Sequence, residues 1–164
     1  MKLTASSLPV SGALLALICL YGISACKSST VARSTACPQD RYTDMAPASI
    51  ASRQNPLETN EDNLDAGEEL YMGKASPVAC VECHGGRGDG NGVMAGMFEP
   101  PPRNFTCVQT MEQIPDGQIY WVIKNGSIGT SMPAFEKLSD EQVWQLTMYL
   151  RHLSRGEATS AVSR

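Results

Sequence analysis

The chain has 164 residues and a net charge of −4, with a sequence pI near 5.1. This length is typical of one domain, and the acidic balance excludes the basic surface expected of a nucleic-acid-binding protein. Six cysteines stand against only two histidines, so the chain carries either a disulfide framework or a metal or cofactor site. The positions of the cysteines decide between these interpretations.

Residues 1–25 have the character of an export signal. Lys2 is their only charged side chain, and the apolar run from Leu8 to Ile23 is short for a membrane-spanning helix. The run leads into Ile23-Ser24-Ala25-Cys26, which resembles the lipobox of bacterial lipoproteins. The resemblance implies cleavage before Cys26 and lipid on that cysteine. An ordinary cleaved signal is the alternative.

Export and lipidation predict a protein on the periplasmic side, anchored to a bacterial membrane. Lys27 stands where some bacteria use an acidic residue for retention in the inner membrane, which favours the outer membrane. Loss of Lys2 with the signal leaves 12 basic and 17 acidic side chains, a net charge of −5. Residues 26–59 are rich in small and polar residues without hydrophobic period, and we expect a flexible tether there.

Residues 60–155 show the periodicity of helices. Asp62 or Asn63 is the expected cap of the first helix, and a second helix is expected over 117–124. Ser139 and Gln142 form a capping box at the start of the last helix. No segment alternates with period two, so we predict an all-α domain followed by a tail, residues 156–164.

The predicted core of this domain is thin. It contains six valines, four isoleucines and six leucines within residues 60–155, which is marginal for a domain below about 100 residues. We therefore expect an additional apolar group to fill its centre.

Cys80-Val81-Glu82-Cys83-His84 is a CxxCH motif. Two cysteines on one helical turn reach two vinyl groups of one porphyrin, and the adjacent histidine presents its imidazole to the iron. The motif therefore predicts one covalently attached haem c, with Cys80, Cys83 and His84 as its binding residues and His84 as an iron ligand.

Three alternatives remain open for these residues. A thioredoxin-like CxxC would need a βαβ setting, of which there is no sign. A zinc site could use Cys80, Cys83, His84 and Cys107, although a second ligand pair of the usual spacing is missing. A structural disulfide between Cys80 and Cys83 is the third.

The second axial ligand is predicted to be Met132. It lies in Thr130-Ser131-Met132-Pro133, a loop with few apolar neighbours, 48 residues beyond His84. A thioether ligand stabilises reduced iron and raises the reduction potential. The other candidates lie too close to the motif, ahead of the central helix, in the core pattern, or near the end of the last helix: Met94 and Met97, Met111, Met148, and His152, respectively.

The order of these motifs resembles a class I cytochrome c. It runs through CVECHG, a glycine-rich loop, PPPRNF, DGQIYWVIKNG, TSMPAF and WQLTMYLRHL, and covers roughly Asp62 to Leu153. The resemblance implies a small helical domain wrapped around the haem, with thioethers at Cys80 and Cys83 and axial ligands His84 and Met132.

The resemblance also implies how the domain is held together. The first and last helices should cross at right angles, with Gly67 and Tyr71 meeting Trp144, Met148 or Tyr149. The family often has a proline whose carbonyl orients the ligand histidine, and here that place holds Val93. Cys107 is outside the usual pattern, and a Cys37–Cys107 disulfide pinning the tether to the domain is our hypothesis.

The predicted function is that of a membrane-anchored monohaem cytochrome carrying single electrons between redox proteins, without catalysis or a small-molecule substrate of its own. The alternatives are a haem c subunit of a larger dehydrogenase or oxidase complex, a haem-based ligand sensor with a displaceable Met132, and a lipoprotein whose haem only fills the core. The acidic surface should guide approach to its partners.

Overall fold

The computed structural model describes residues 37–39, 42–74, 76 and 78–156, and the predicted signal peptide, Cys26 and most of the C-terminal tail lie outside these residues. Within the described part the chain forms helices and no strands, which confirms the all-α prediction. The helices are α1 (Ala48–Ala51), α2 (Glu61–Tyr71), α3 (Cys80–His84), a 3₁₀ turn (Ala95–Met97), α4 (Val108–Met111), α5 (Asp116–Asn125) and α6 (Asp140–Ser154).

Helices α2 and α6 form the main packing pair of the domain. They approach most closely at Gly67, where an added methyl group would lie 2.3 Å from the carbonyl oxygen of Gln145. One turn later the ring of Tyr71 packs on that of Tyr149, with centroids 5.3 Å apart. The predicted contact with Tyr149 is therefore present, and Gln145 is a partner that the sequence did not indicate.

The start of α2 differs from the expectation by a few residues. Asn60 is the N-cap, and its side-chain oxygen accepts a hydrogen bond from the backbone N–H of Asn63. Asp62, one of the two predicted caps, instead lies in the first turn together with Glu61. Prediction of Asp62 or Asn63 as the cap was wrong because several adjacent residues here have suitable side chains, and only the backbone conformation selects one.

Helix α6 begins as predicted. Ser139 and Gln142 form the reciprocal capping box, and the residues on either side of it, Leu138 and Val143, are both buried. The buried face of α6 supplies much of the core and is formed by Val143, Trp144, Leu146, Tyr149, Leu150 and Leu153. Trp144 stacks on Tyr120 of α5 at 4.5 Å, so of the three residues implied by the resemblance it is Tyr149 that meets Tyr71.

Residues 42–59 are not a free tether. Helix α1 packs on α5 so closely that a methyl group at Gly117 would lie 1.8 Å from the carbonyl oxygen of Ile50. The backbone N–H of Ala46 donates to the Gln118 side chain, and the Asn55 amide donates to the Trp144 carbonyl. The tether prediction was wrong over this stretch. Side-chain-to-backbone hydrogen bonds attach it to the domain, and such bonds produce no periodic pattern of apolar residues in the sequence. We call residues 37–39 and 42–59 the N-terminal strap.

A disulfide fastens the start of the N-terminal strap. Cys37 and Cys107 are joined with their Cα atoms 5.5 Å apart, across 70 residues of sequence. The hypothesis of this pairing is confirmed. Within the described residues, no helix is both long and apolar enough to cross a membrane.

We expect Gly67→Ala to lower the free energy of unfolding by about 1–3 kcal/mol, because the new methyl group must push α2 away from the Gln145 carbonyl. Gly96→Ala is the matched control, since nothing lies within 4 Å of its added Cβ, and it should change stability by no more than about 0.5 kcal/mol. Urea denaturation followed by circular dichroism measures both. Equal effects at the two positions would contradict the close packing at Gly67.

Replacing Cys37 and Cys107 together by alanine should lower the free energy of unfolding by about 2–5 kcal/mol, since the crosslink restricts a long loop of the unfolded chain. The same denaturation experiment measures the loss. Reductant should destabilise the wild-type protein and leave the double variant unchanged. A double variant as stable as the oxidised wild type would contradict this prediction.

Candidate functional site

The predicted attachment motif occupies helix α3. Cys80 and Cys83 lie on its single turn, and His84 is its last residue. The helix is fixed to α2 because the buried Tyr71 hydroxyl donates to the carbonyl oxygen of Gly85 at 2.6 Å. Gly85, which follows His84, has φ = 82° and so ends the helix in a conformation that favours glycine.

The glycine-rich loop folds back onto α3. Gly90 donates its backbone N–H to the carbonyl oxygen of His84, and Gly92 donates to that of Cys83. A methyl group at Gly92 would lie 2.3 Å from the Glu82 carbonyl oxygen, so a side chain there would separate loop and helix. Asp89 accepts a hydrogen bond from the backbone N–H of Asn91, as a turn residue does.

The imidazole of His84 is held on one edge and one face. Its Nδ1 lies 3.0 Å from the carbonyl oxygen of Arg103, and the Phe105 ring stacks on it at 4.5 Å. A carbonyl oxygen only accepts, so Nδ1 carries the proton and Nε2 carries the lone pair needed by a metal. The Arg103 carbonyl lies ten residues beyond Val93, the place assigned to it from the sequence, so that assignment was wrong.

Hydrogen bonds of backbone groups hold the loop that contains Met132. Its carbonyl oxygen accepts from the backbone N–H of Ser127, and its N–H donates to the Thr130 hydroxyl. The loop leaves α5 at Gly126, which has φ = 77°, and returns where Phe135 donates to the carbonyl of Ile123. The position of Met132 is therefore set by both ends of the loop.

Three cavities, of about 370, 60 and 30 Å³, surround His84. The 60 Å³ cavity is lined by all four predicted site residues, Cys80, Cys83, His84 and Met132. Core side chains such as Phe105, Ile123 and Leu150 line both the 370 Å³ and the 30 Å³ cavity. The structure thus brings the four residues together around one cavity, beside two others that are lined by core side chains.

The other methionines and His152 are placed differently. Met111, which is fully buried, and Met45 of the N-terminal strap line the 370 Å³ cavity together with Met132. His152 is absent from the residues lining the three cavities, and its ring faces that of Tyr149. Met132 is the methionine that lines both this cavity and the smaller one containing the two thiols.

The cysteines of the motif are free thiols, so they do not form the structural disulfide considered above. Burial raises the pKa of the Cys80 thiol to about 11 and also raises the pKa of Cys83, which keeps both neutral near pH 7. The zinc alternative loses its fourth ligand because Cys107 is bonded to Cys37. Among the described residues there is no strand for a thioredoxin-like setting.

The donor set fits a haem. The site offers two thiols for thioether bonds, an imidazole with its lone pair on Nε2, and a thioether sulfur, all at a cavity with largely apolar walls. Sequence reasoning did not find the Arg103 carbonyl or the strap residue Met45. The PPPRNF stretch lies in the loop that supplies this carbonyl, but a backbone acceptor cannot be recognised from the amino-acid types in the sequence.

Comparison with known proteins relates the chain to a cytochrome family. Residues 62–150, more than half of the chain, match the family model described as cytochrome c oxidase, cbb3-type, subunit III. No match is found among curated proteins. A similar solved structure is a chain of the reducing HAO-like protein complex of Kuenenia stuttgartiensis, with a TM-score of 0.50 and 31% identity.

That structural match covers 60% of this chain and 46% of the other, so the present chain spans less than half the length of this relative. The family match covers the helices from α2 to α6, including the CxxCH motif and the Met132 loop. The chain therefore belongs to the cytochrome c family represented by subunit III of cbb3-type cytochrome c oxidase, a family that implies haem c and electron transfer.

Proposed function

We propose that this chain is an exported, lipid-anchored monohaem cytochrome that carries single electrons between redox proteins. The observation that carries the proposal is the convergence of Cys80, Cys83, His84 and Met132 on one cavity beside the apolar core. Haem iron, when bound, supplies a one-electron couple.

Each of these residues has a separate role in the proposal. Cys80 and Cys83 would hold the porphyrin through thioether bonds. His84 would hold the iron through Nε2 while the Arg103 carbonyl holds its ring by Nδ1. Met132 would hold the iron through its thioether sulfur, a ligand type that favours the reduced state.

With both His84 and Met132 holding it, the iron would have no position left for a substrate. Such a centre transfers electrons and does not bind a substrate, so we assign electron transfer and no catalysis to this chain. Buried Phe105 and Leu150 give the neighbouring 370 Å³ cavity part of its apolar wall. A ligand sensor would instead need Met132 to leave the iron.

A haem subunit of a larger oxidoreductase complex is the second candidate. It is favoured by the family model, which describes an oxidase subunit, and by the similar structure, which is part of a protein complex. The residues proposed to hold the haem are the same in both cases. The two candidates differ in whether the protein purifies alone or with other chains.

The cellular location is proposed from residues outside the described part of the structure. The lipobox-like Ile23-Ser24-Ala25-Cys26 supports lipid on Cys26, and Lys27 supports the outer membrane. The N-terminal strap leaves only residues 26–36 between the lipid and the Cys37–Cys107 disulfide, about 35 Å if fully extended. The domain would therefore stay near the membrane surface and meet partners whose charge complements its mature charge of −5.

Met132→Ala tests the site. The wild-type protein should carry haem that resists acid–acetone extraction, and its reduced spectrum should show low-spin iron with methionine bound. The variant should keep the haem but lose the methionine signature and bind carbon monoxide rapidly. Met97→Ala is the matched control, because Met97 is exposed, and should retain the wild-type spectrum.

Three outcomes of that experiment contradict parts of the proposal. Haem that is extracted from the wild type refutes covalent attachment at Cys80 and Cys83. A Met132→Ala spectrum identical to the wild type refutes the ligand assignment. Rapid carbon monoxide binding by the wild type refutes a simple carrier and favours the sensor.

Cys26→Ser tests the anchor in the native host. We expect the wild-type protein to fractionate with membranes and to incorporate labelled fatty acid, whereas the variant should lose the label because it has no acceptor thiol. Cys19→Ser, within the predicted signal, is the matched control and should remain labelled. Equal labelling of wild type and Cys26→Ser would disprove lipidation at this position.

A further inference from the structure

We propose that Gln39 of the N-terminal strap is a positioning residue that tunes the His84 ligand through the peptide group joining Arg103 and Asn104. The inference rests on the proposed function, since it concerns His84 as an iron ligand. It adds a residue that lies 45 positions before His84 and outside the 62–150 segment matched by the family model.

One peptide group connects the two side chains. Its carbonyl oxygen, which belongs to Arg103, lies 3.0 Å from Nδ1 of His84. Its N–H, which belongs to Asn104, donates to Oε1 of Gln39 at 2.7 Å. In a trans peptide these two groups point in opposite directions, so the group stands between the imidazole and the amide as the middle of a hydrogen-bond chain.

The orientation of the Gln39 amide follows from its partners. Asn104 N–H only donates, so the atom facing it must be the oxygen, and the Gln39 Nε2 then donates to the carbonyl oxygen of Pro102 at 3.3 Å. The amide therefore contacts the backbone on both sides of Arg103. Rotation of the Arg103–Asn104 peptide would break both the Gln39 and the His84 hydrogen bonds.

The backbone of Gln39 is itself held in place. Its N–H donates to the Thr110 hydroxyl at 3.0 Å, and its carbonyl oxygen accepts from Nη1 of Arg103 at 3.2 Å. The other terminal nitrogen of the Arg103 guanidinium donates to the Thr43 hydroxyl. Cys37 lies two residues before Gln39 and is bonded to Cys107, so the strap is covalently attached to the domain close to Gln39.

Burial makes this chain of hydrogen bonds effective. Asn104 is 5% exposed, and Pro102 and Thr110 are buried as well. Hydrogen bonds in series polarise each other, more so away from water. Donation of the Asn104 N–H to Gln39 makes the Arg103 carbonyl a stronger acceptor, which makes His84 a more basic ligand. A more basic imidazole stabilises oxidised iron, so Gln39 should lower the reduction potential.

Gln39→Met and Gln39→Glu test the inference in the full holoprotein. The methionine variant has a similar length but no acceptor oxygen, and its midpoint potential should rise above the wild-type value. The glutamate variant keeps an acceptor oxygen for Asn104, and its potential should stay at the wild-type value or fall below it. Spectroelectrochemical titration measures the potentials, and the ¹⁵N shift of the Asn104 amide reports the hydrogen bond directly.

Gln109 provides matched controls, because it is exposed on α4 next to Thr110. Gln109→Met and Gln109→Glu should shift the potential less than the corresponding Gln39 variants, which separates the peptide relay from a through-space effect of charge. The inference is overturned if Gln39→Met leaves the potential unchanged, or if methionine and glutamate at position 39 shift it upward together. The latter result would indicate a purely structural strap.

Failure of the proposed function gives a different result. In that case the wild-type protein itself lacks covalent haem or the methionine-bound spectrum, and the inference falls with it. A normal wild-type spectrum with an unmoved potential in Gln39→Met refutes the relay alone. Thermal denaturation of each variant identifies any change in potential that comes from loss of the fold.

Discussion

The position of the candidate site depends on the close contact of α2 with α6 at Gly67. Because a glycine stands there, the α2 backbone approaches the Gln145 carbonyl, and Tyr71 is brought against Tyr149. The Tyr71 hydroxyl then reaches the Gly85 carbonyl at the end of α3. A helix pair that carries none of the four predicted haem-binding residues thus determines where the CxxCH motif lies relative to the core.

Cavities adjoin the apolar core on the side of His84. The thin set of aliphatic residues noted in the sequence corresponds in the structure to cavities that adjoin buried side chains of α5 and α6, including Ile123, Leu146 and Leu150. A porphyrin in this space would supply the contacts that the side chains do not make with each other. Folding and haem binding would then be coupled, since dispersion contacts at the cavity walls form only when the space is filled.

The N-terminal strap is fastened to the helical domain by several kinds of contact. It packs Ile50 and Leu57 against the core and attaches through the Cys37–Cys107 disulfide and through hydrogen bonds of Gln39, Ala46 and Asn55 with the helical domain. Several of these bonds end on the loop whose Arg103 carbonyl orients His84. The strap therefore supports the loop whose Arg103 carbonyl orients His84. It also lies between the domain and the predicted lipid anchor.

The sequence by itself determined the helical class, the capping box of α6 and the CxxCH motif, and it predicted Met132 as the second ligand. These are local features, in which the spacing of a few neighbouring residues carries the physical information. Only the tertiary structure decided that residues 42–59 pack on the domain, that Asn60 caps α2 and that Arg103 rather than Val93 supplies the carbonyl to His84. These features depend on backbone groups and on contacts between distant segments, and a backbone carbonyl is present at every residue, so nothing in the amino-acid pattern distinguishes the one that is used.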